Sequence, residues 1–141
     1  MKIVSGGNTN NSASPSGSQA SSKVFNAGPL NLALNAAADL DTPPNDPTWR
    51  VTSLPQGAVA DISWQGGGLF LQGSAQGFVT AKADNSTCQS SSGYGTNFLD
   101  LQSRPIGTFV CIYTNEKRYA LLKMTKDSGN DGVSFAVITF K

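Results

Sequence analysis

GTFVCIYTNEKRYALLKMTKDSGNDGVSFAVITFK, residues 107–141, decides the fold of this chain, because it predicts three antiparallel strands joined by two tight turns. Apolar residues alternate between two faces in each segment, with the period of two residues that is typical of a strand. In the first segment, Phe109, Cys111 and Tyr113 fall on one face and Val110 and Ile112 on the other. Polar residues and glycines at 114–117 and 126–132 supply the turns.

Several positions of this three-stranded meander are apolar on both faces, which favours a central place in a two-layer β structure. Leu30, Leu32 and Leu34 predict another strand with one buried face. Gly-rich and Pro-rich turns separate further short strands, which we predict at 49–54, 59–64, 69–71, 78–83 and 97–101. The pattern predicts an all-β fold, a small antiparallel β-sandwich or barrel of about eight or nine short strands.

The chain of 141 residues is long enough for one core. We predict a single β domain over 24–141 behind a disordered Ser/Gly/Asn-rich tether over 1–23, since the tether has almost nothing to bury. Its removal is expected to leave the melting temperature unchanged. Such a tether, without a signal peptide, suggests that the domain comes from a larger protein, although part of 1–7 also fits an expression tag.

Charge and histidine content narrow the function classes. The net charge is +1, charged residues make up 13%, and the basic residues are scattered, so we expect no nucleic-acid partner. No apolar run approaches the ~18 residues of a membrane span, so we expect no membrane insertion by this chain. The chain has no histidine, which excludes Ser-His-Asp and Cys-His catalysis and histidine-based zinc sites. We expect no catalytic residues, no cofactor and no metal.

Carboxylates are the remaining route to acid–base or metal chemistry. Asp39, Asp41 and Asp46 could in principle surround a calcium ion, but we expect them to be solvated loop residues. Asp61 lies inside a predicted strand and could face the core; an edge or outward position is expected over a catalytic one. An enzyme with paired carboxylates would need two of them roughly 5 to 10 Å apart in a cleft.

The aromatic residues supply the candidate ligand contacts, Trp49, Tyr94 and Tyr119. A carbohydrate-binding module would present two or more coplanar rings on one face. Trp64 is expected in the core, whereas Tyr94, between serines and glycines, is expected to be exposed at the tip of a loop.

Cys88 and Cys111 are the two cysteines, one in a predicted polar loop and one in a predicted strand. They could form a disulfide or remain two buried thiols. An even cysteine count in a β chain of low charge favours an oxidising, extracytoplasmic setting, at the cell surface or secreted.

Several short motifs resemble an extracytoplasmic domain that follows the transmembrane helix of bacterial serine/threonine protein kinases and related surface proteins. These motifs are LNLALNAAADLD at 30–41, DISWQGG at 61–67, Cys88 followed by LDL at 99–101, IGTFVCIYT at 106–114, RYALL at 118–122 and VSFAVITF at 133–140. The chain departs from that family at Phe140, where tryptophan is typical, and at 115–117, where a glycine is common. The resemblance implies a Cys88–Cys111 disulfide, a tether from a membrane helix and no catalytic activity.

The sequence therefore predicts a non-enzymatic extracytoplasmic recognition or sensor domain of a larger membrane-anchored protein. Its partner would be an unknown extracellular ligand or cell-surface component. The alternative is a carbohydrate-binding module.

Overall fold

The computed structural model describes residues 23–53, 60–96 and 98–141. The predicted tether therefore lies outside the described residues, apart from Lys23. Residues 54–59 also lie outside the described residues, and they include the end of the predicted strand 49–54 and the start of the predicted strand 59–64. Asn97 lies outside them too.

The described part of the chain forms ten strands, one α-helix and a short 3-10 turn at Gly129–Asp131. In chain order the elements are β1 (Val24–Leu32), β2 (Ala36–Ala38), β3 (Thr52–Ser53), β4 (Ile62–Trp64), β5 (Gly68–Leu71), β6 (Gln76–Thr80), α1 (Asn85–Ser90), β7 (Leu99–Asp100), β8 (Phe109–Tyr113), β9 (Tyr119–Asp127) and β10 (Val133–Phe140).

The strands form two antiparallel sheets of five strands each. The long sheet has the order β1-β10-β9-β8-β6, and the short sheet has the order β3-β2-β4-β5-β7. The predicted all-β sandwich is confirmed, with ten strands where about eight or nine were expected.

The predicted meander is the centre of the long sheet. Val110 pairs with Leu122 and Ile112 with Ala120, and all four side chains are buried between the sheets. Both predicted turns are present: Thr114 N donates to Arg118 O at 2.8 Å, and the 3-10 turn joins β9 to β10. Alternation alone therefore divided the residues of these strands between two faces correctly.

Trp64 fills the core between the sheets, as predicted. Its side chain is fully buried, and its Nε1 donates to Gly129 O at 2.9 Å. One residue of the short sheet thus packs in the core and bonds to the turn between two strands of the long sheet.

The loop after β2 departs from the prediction of a strand over 49–54. Trp49 and Arg50 have φ angles of 55° and 48°, in the left-handed region that a strand cannot use, and only Thr52–Ser53 pairs in the described residues. Trp49 is instead buried, with Nε1 donating to Pro29 O at 2.9 Å. Burying this ring sets the loop conformation.

Candidate functional site

The outer face of the long sheet carries a third layer, built by α1 and the disulfide. Cys88 of α1 is bonded to Cys111 of β8, and both residues are fully buried. The disulfide is thus confirmed, and it holds α1 against β8 and β9.

Helix α1 stands where a polar loop was predicted. Asp84 caps it, since Thr87 N donates to Asp84 Oδ1 at 2.8 Å and Asp84 N donates to Thr87 Oγ1 at 3.3 Å. This reciprocal pair is a capping box. The spacing of Asp84 and Thr87 was the available sequence signal, but the helix of six residues is too short for an apolar repeat.

Four rings gather beside this helix, and we call Phe78, Tyr94, Tyr113 and Tyr119 the tyrosine cluster. Tyr94 contacts the other three. Its ring centroid lies 4.9 Å from that of Phe78, 6.4 Å from that of Tyr113 and 6.0 Å from that of Tyr119. Tyr113 and Tyr119 are cross-strand neighbours 4.8 Å apart. The tyrosine cluster therefore spans β6, β8, β9 and the segment after α1.

Tyr94 is half-buried, not at an exposed loop tip, so that expectation was wrong. Its hydroxyl donates to Cys88 O at 2.6 Å, and Gly95 pairs with Gly77 of β6. Burial raises the pKa of the Tyr94 hydroxyl, so it remains a donor at physiological pH. The segment after α1 is thus tied down by Tyr94 as well as by the disulfide.

The structure brings two of the three predicted ligand contacts together and separates the third. Tyr94 and Tyr119 share the tyrosine cluster, whereas Trp49 is only 2% exposed and packs in the core. Trp49 is therefore not available to a surface ligand. Tyr113 takes its place in the cluster, and its alternation with the buried Val110 and Ile112 was the signal for an outward ring.

The tyrosine cluster presents polar groups as well as ring surface. Within the described residues, no hydrogen bond joins the hydroxyls of Tyr113 and Tyr119 to the protein, and both side chains are half-exposed. The ring planes of this pair are inclined at 38°, and Tyr94 meets Tyr119 at 58°. The surface is therefore ridged, with two free hydroxyls.

A second feature lies beneath the turn that joins β8 to β9, at 114–118, and we call Asp39, Asp41 and Asp61 the carboxyl cluster. All three are at most 4% exposed. The expectation of solvated loop aspartates at Asp39 and Asp41 was wrong. Of the positions left open for Asp61, it takes the one that faces the core. Local sequence could not show that a turn more than 50 residues further along covers them.

Asp41 binds the turn directly. Thr114 Oγ1 donates to Asp41 Oδ1 at 2.7 Å, and Glu116 N donates to Oδ2 at 3.2 Å. Arg118 Nη1 lies 3.1 Å from Oδ1 while its guanidinium stacks 3.8 Å from the ring centroid of Phe25. Asp41 therefore joins the loop after β2 to the long sheet.

Asp61 binds the same turn from the start of β4. Asn115 N and Leu40 N each donate to one oxygen of Asp61, both at 2.7 Å. Burial, reinforced by the charges of Asp41 and Asp39, raises the pKa of Asp61 to about 8. Burial also raises the pKa of Asp39.

Asp46 stands apart from the carboxyl cluster. It accepts from Thr48 Oγ1 at 2.6 Å and lies 3.6 Å from Arg50. The trio Asp39, Asp41 and Asp46 therefore does not assemble around a cation. Carboxylate oxygens of Asp39, Asp41 and Glu116 lie within 4.8 Å of one another. Because Arg50 forms an ion pair with Asp39 and Arg118 forms one with Asp41, we assign no metal there.

A shallow cleft of about 360 Å³ opens at the end of β9 remote from Tyr119. It contains none of the predicted site residues; its lining is Asn31, Leu32, Ala33, Lys126, Ser128, Asp131, Gly132, Val133 and Ser134. Ser134 Oγ donates across it to Asn31 Oδ1 at 2.6 Å. The tyrosine cluster is the stronger candidate, because it joins aromatic surface to free hydroxyls.

Comparison with known proteins finds no matching family model, curated protein or solved structure. The resemblance to the kinase-associated domain therefore stays a prediction. Among the helices in the described ranges, none has the length and apolar character to span a bilayer.

Proposed function

We propose that this chain is a non-enzymatic recognition or sensor domain, acting outside the cytoplasm as part of a larger membrane-anchored protein, and that the tyrosine cluster contacts its ligand. The observation that carries the proposal is that covalent and hydrogen bonds hold Tyr94, at the centre of the cluster, in place. Tyr94 is fixed by its bond to Cys88 O, and Cys88 is fixed by its disulfide to β8. Rigid aromatic side chains lose little conformational entropy on binding, which makes them effective contacts.

The disulfide supports the extracytoplasmic setting. Disulfides persist in oxidising compartments and are rare in the cytosol. Here the bond joins α1 to β8 of the long sheet, so it braces the surface proposed to bind. The tether predicted for 1–23 and the kinase-domain resemblance agree with a membrane-anchored parent.

The carboxyl cluster supports a non-enzymatic role. The carboxylate oxygens of Asp41 and Asp61 accept hydrogen bonds from Thr114, Asn115 and Glu116, and the turn covers both side chains. General acid–base catalysis needs carboxyl groups within reach of a substrate. These side chains instead fasten one part of the fold to another.

The inclination of the rings bears on the class of ligand. A flat sugar platform requires coplanar rings, and the most nearly parallel pair, Tyr113 and Tyr119, is inclined at 38°. A ridged surface with two hydroxyls fits a peptide segment of a cell-surface protein better than a flat sugar ring. A carbohydrate ligand is the alternative, favoured by the same hydroxyls, which could bond to sugar hydroxyl groups.

The test screens the full chain with two probes, a random peptide library displayed on phage and a panel of soluble hexose and N-acetylhexosamine oligosaccharides. We expect Tyr119→Ala and Tyr113→Ala to weaken the selected binders at least about tenfold, as for hot-spot aromatics. Phe98→Ala is the matched control, because Phe98 is an exposed ring, 41% accessible, whose centroid lies 4.8 Å from that of Phe70 on the short sheet.

Tyr119→Phe keeps the ring and removes only the hydroxyl, which guards against a variant that fails to fold. Binding that is unchanged in both alanine variants, or that Phe98→Ala removes, would overturn the assignment of the surface. Oligosaccharide binders that depend on the tyrosines, without peptide binders, would select the carbohydrate alternative.

A further inference from the structure

The cleft at the end of β9 has sides that the backbone holds in place. Gly132 has a φ angle of 145°, and a Cβ atom there would lie 2.6 Å from Leu32 O, so the start of β10 packs tightly against the end of β1. Two backbone bonds close the turn beside it, from Ser128 N to Gly132 O at 2.9 Å and from Asp131 N to Ser128 O at 3.1 Å. The cleft is therefore preformed, as small-molecule sites usually are.

One side of the cleft presents hydrogen-bond donors. Asn31, Ser134 and Lys126 are cross-strand neighbours on β1, β10 and β9. Ser134 Oγ donates to Asn31 Oδ1 at 2.6 Å, which leaves the amide nitrogen Nδ2 of Asn31 to donate to a ligand. Lys126 is exposed and forms no ion pair within the described residues. An amide N–H and an ammonium group in one row suit a carboxylate.

The turn between β9 and β10 presents acceptors to the same cleft. Asp131 is exposed, and in the described ranges its carboxylate takes part in no ion pair or hydrogen bond. The hydroxyl of Ser128 lines the cleft as well. A carboxylate and a hydroxyl suit an ammonium group, which only donates. The cleft therefore holds one cation and one anion, and a ligand of a single charge would meet only one of them.

The volume of the cleft limits the size of the ligand. At about 360 Å³ it lies near the lower end of the range of about 300 to 1,000 Å³ for small-molecule sites. Leu32, Ala33 and Val133 give the lining an aliphatic part. A dipeptide is at most about 7 Å long when extended, which is close to the edge of a cube of this volume.

We propose that this cleft binds a short zwitterionic peptide, of about two residues with small aliphatic side chains. Its carboxylate is held by Lys126 and Asn31, and its ammonium group is held by Asp131. The proposal does not depend on recognition by the tyrosine cluster, because the cleft lies at the end of β9 remote from Tyr119. Either site can fail its own test without affecting the other.

The test is an NMR titration of the amide-labelled full chain with three probes at neutral pH: alanylalanine, N-acetyl-alanylalanine, which has no ammonium group, and alanylalanine amide, which has no carboxylate. We expect alanylalanine to shift the amide signals of Asp131 and Ser134 saturably, with a Kd of about 1 mM. Each single-charge probe should bind at least about threefold more weakly, because one of its two ion pairs is lost.

Two variants assign the charges. Lys126→Gln should weaken alanylalanine at least about threefold and leave the binding of the amide probe unchanged, because that probe has no carboxylate. Asp131→Asn should do the same for alanylalanine and spare the N-acetyl probe. Lys123→Gln is the matched control, since Lys123 is exposed on the same strand and lies outside the cleft.

The amide spectrum of each variant also reports whether it is folded, and the wild-type comparison of the three probes needs no variant. Equal binding of the three probes by the wild-type chain would overturn the proposal. So would shifts outside the cleft alone, the lack of saturation at ten times the expected Kd, or a loss in Lys123→Gln as large as that in Lys126→Gln.

Discussion

Trp64 shows how one residue can join the two sheets. Its ring is fully buried between them, and its Nε1 donates to Gly129 O beyond the end of β9. A buried indole whose N–H is bonded contributes both apolar burial and a satisfied donor.

We expect Trp64→Phe to reduce the free energy of unfolding by about 2 kcal/mol, because it leaves a cavity and removes the bond to Gly129. Chemical denaturation measures this change. Phe70→Leu, at a ring 46% exposed in the same sheet, should cost less than about 1 kcal/mol. Equal losses in the two variants would show that Trp64 does not hold the sheets together.

Residue-level prediction from sequence was reliable where a pattern was local and poor where burial came from distant segments. Trp64 was placed in the core correctly. Trp49 was not, because its burial depends on a loop in left-handed conformation that brings its indole to Pro29. The burial of Asp61 stayed open for a similar reason, since its partner Asn115 lies in the turn between two strands of the other sheet.

At the scale of elements, the β8–β9 hairpin carries both features of interest. Tyr113 and Tyr119 end its strands on the outer face, and Asp41 and Asp61 bind the turn between them. Its alternation was strong enough to predict the strands and to divide their residues between two faces, because buried residues such as Val110 and Leu122 alternate with residues of the outer face. The turn chemistry was also visible in the sequence.

Helix α1 escaped prediction because its six residues carry only one buried side chain, Cys88. The disulfide and the capping box stabilise it, and neither produces a hydrophobic period. For the same reason, the sequence predicted members of the tyrosine cluster but not that they lie together. Tyr94 and Tyr119 could be chosen as aromatic candidates, but their meeting depends on where α1 is fastened.

At the scale of the whole molecule, the carboxyl cluster makes stability depend on pH. Asp61 has a higher pKa when folded than its ordinary value, so between roughly pH 4 and pH 8 the native state binds more protons than the unfolded chain. Stability therefore falls as the pH rises through this window. Asp61 alone contributes a slope of up to about 1.4 kcal/mol per pH unit.

We expect the urea midpoint of the wild-type chain to fall between pH 5 and pH 8, with an unchanged m-value. Asp61→Asn should be less stable at pH 5, since an amide nitrogen would face a backbone N–H, but its midpoint should vary little with pH. Asp46→Asn should keep the wild-type slope. A wild-type midpoint that is level or rises between pH 5 and pH 8 would be inconsistent with a raised pKa of the buried Asp61.

The bond between Cys88 and Cys111 supports both the placement of Tyr94 and the proposal of an extracytoplasmic setting. Peptide mapping by mass spectrometry of the protein, purified without reductant and alkylated in denaturant before digestion, tests it directly. We predict one cross-linked species that joins the Cys88 peptide to the Cys111 peptide, with no alkylated cysteine. Two alkylated cysteines would contradict the disulfide, and with it the braced tyrosine surface.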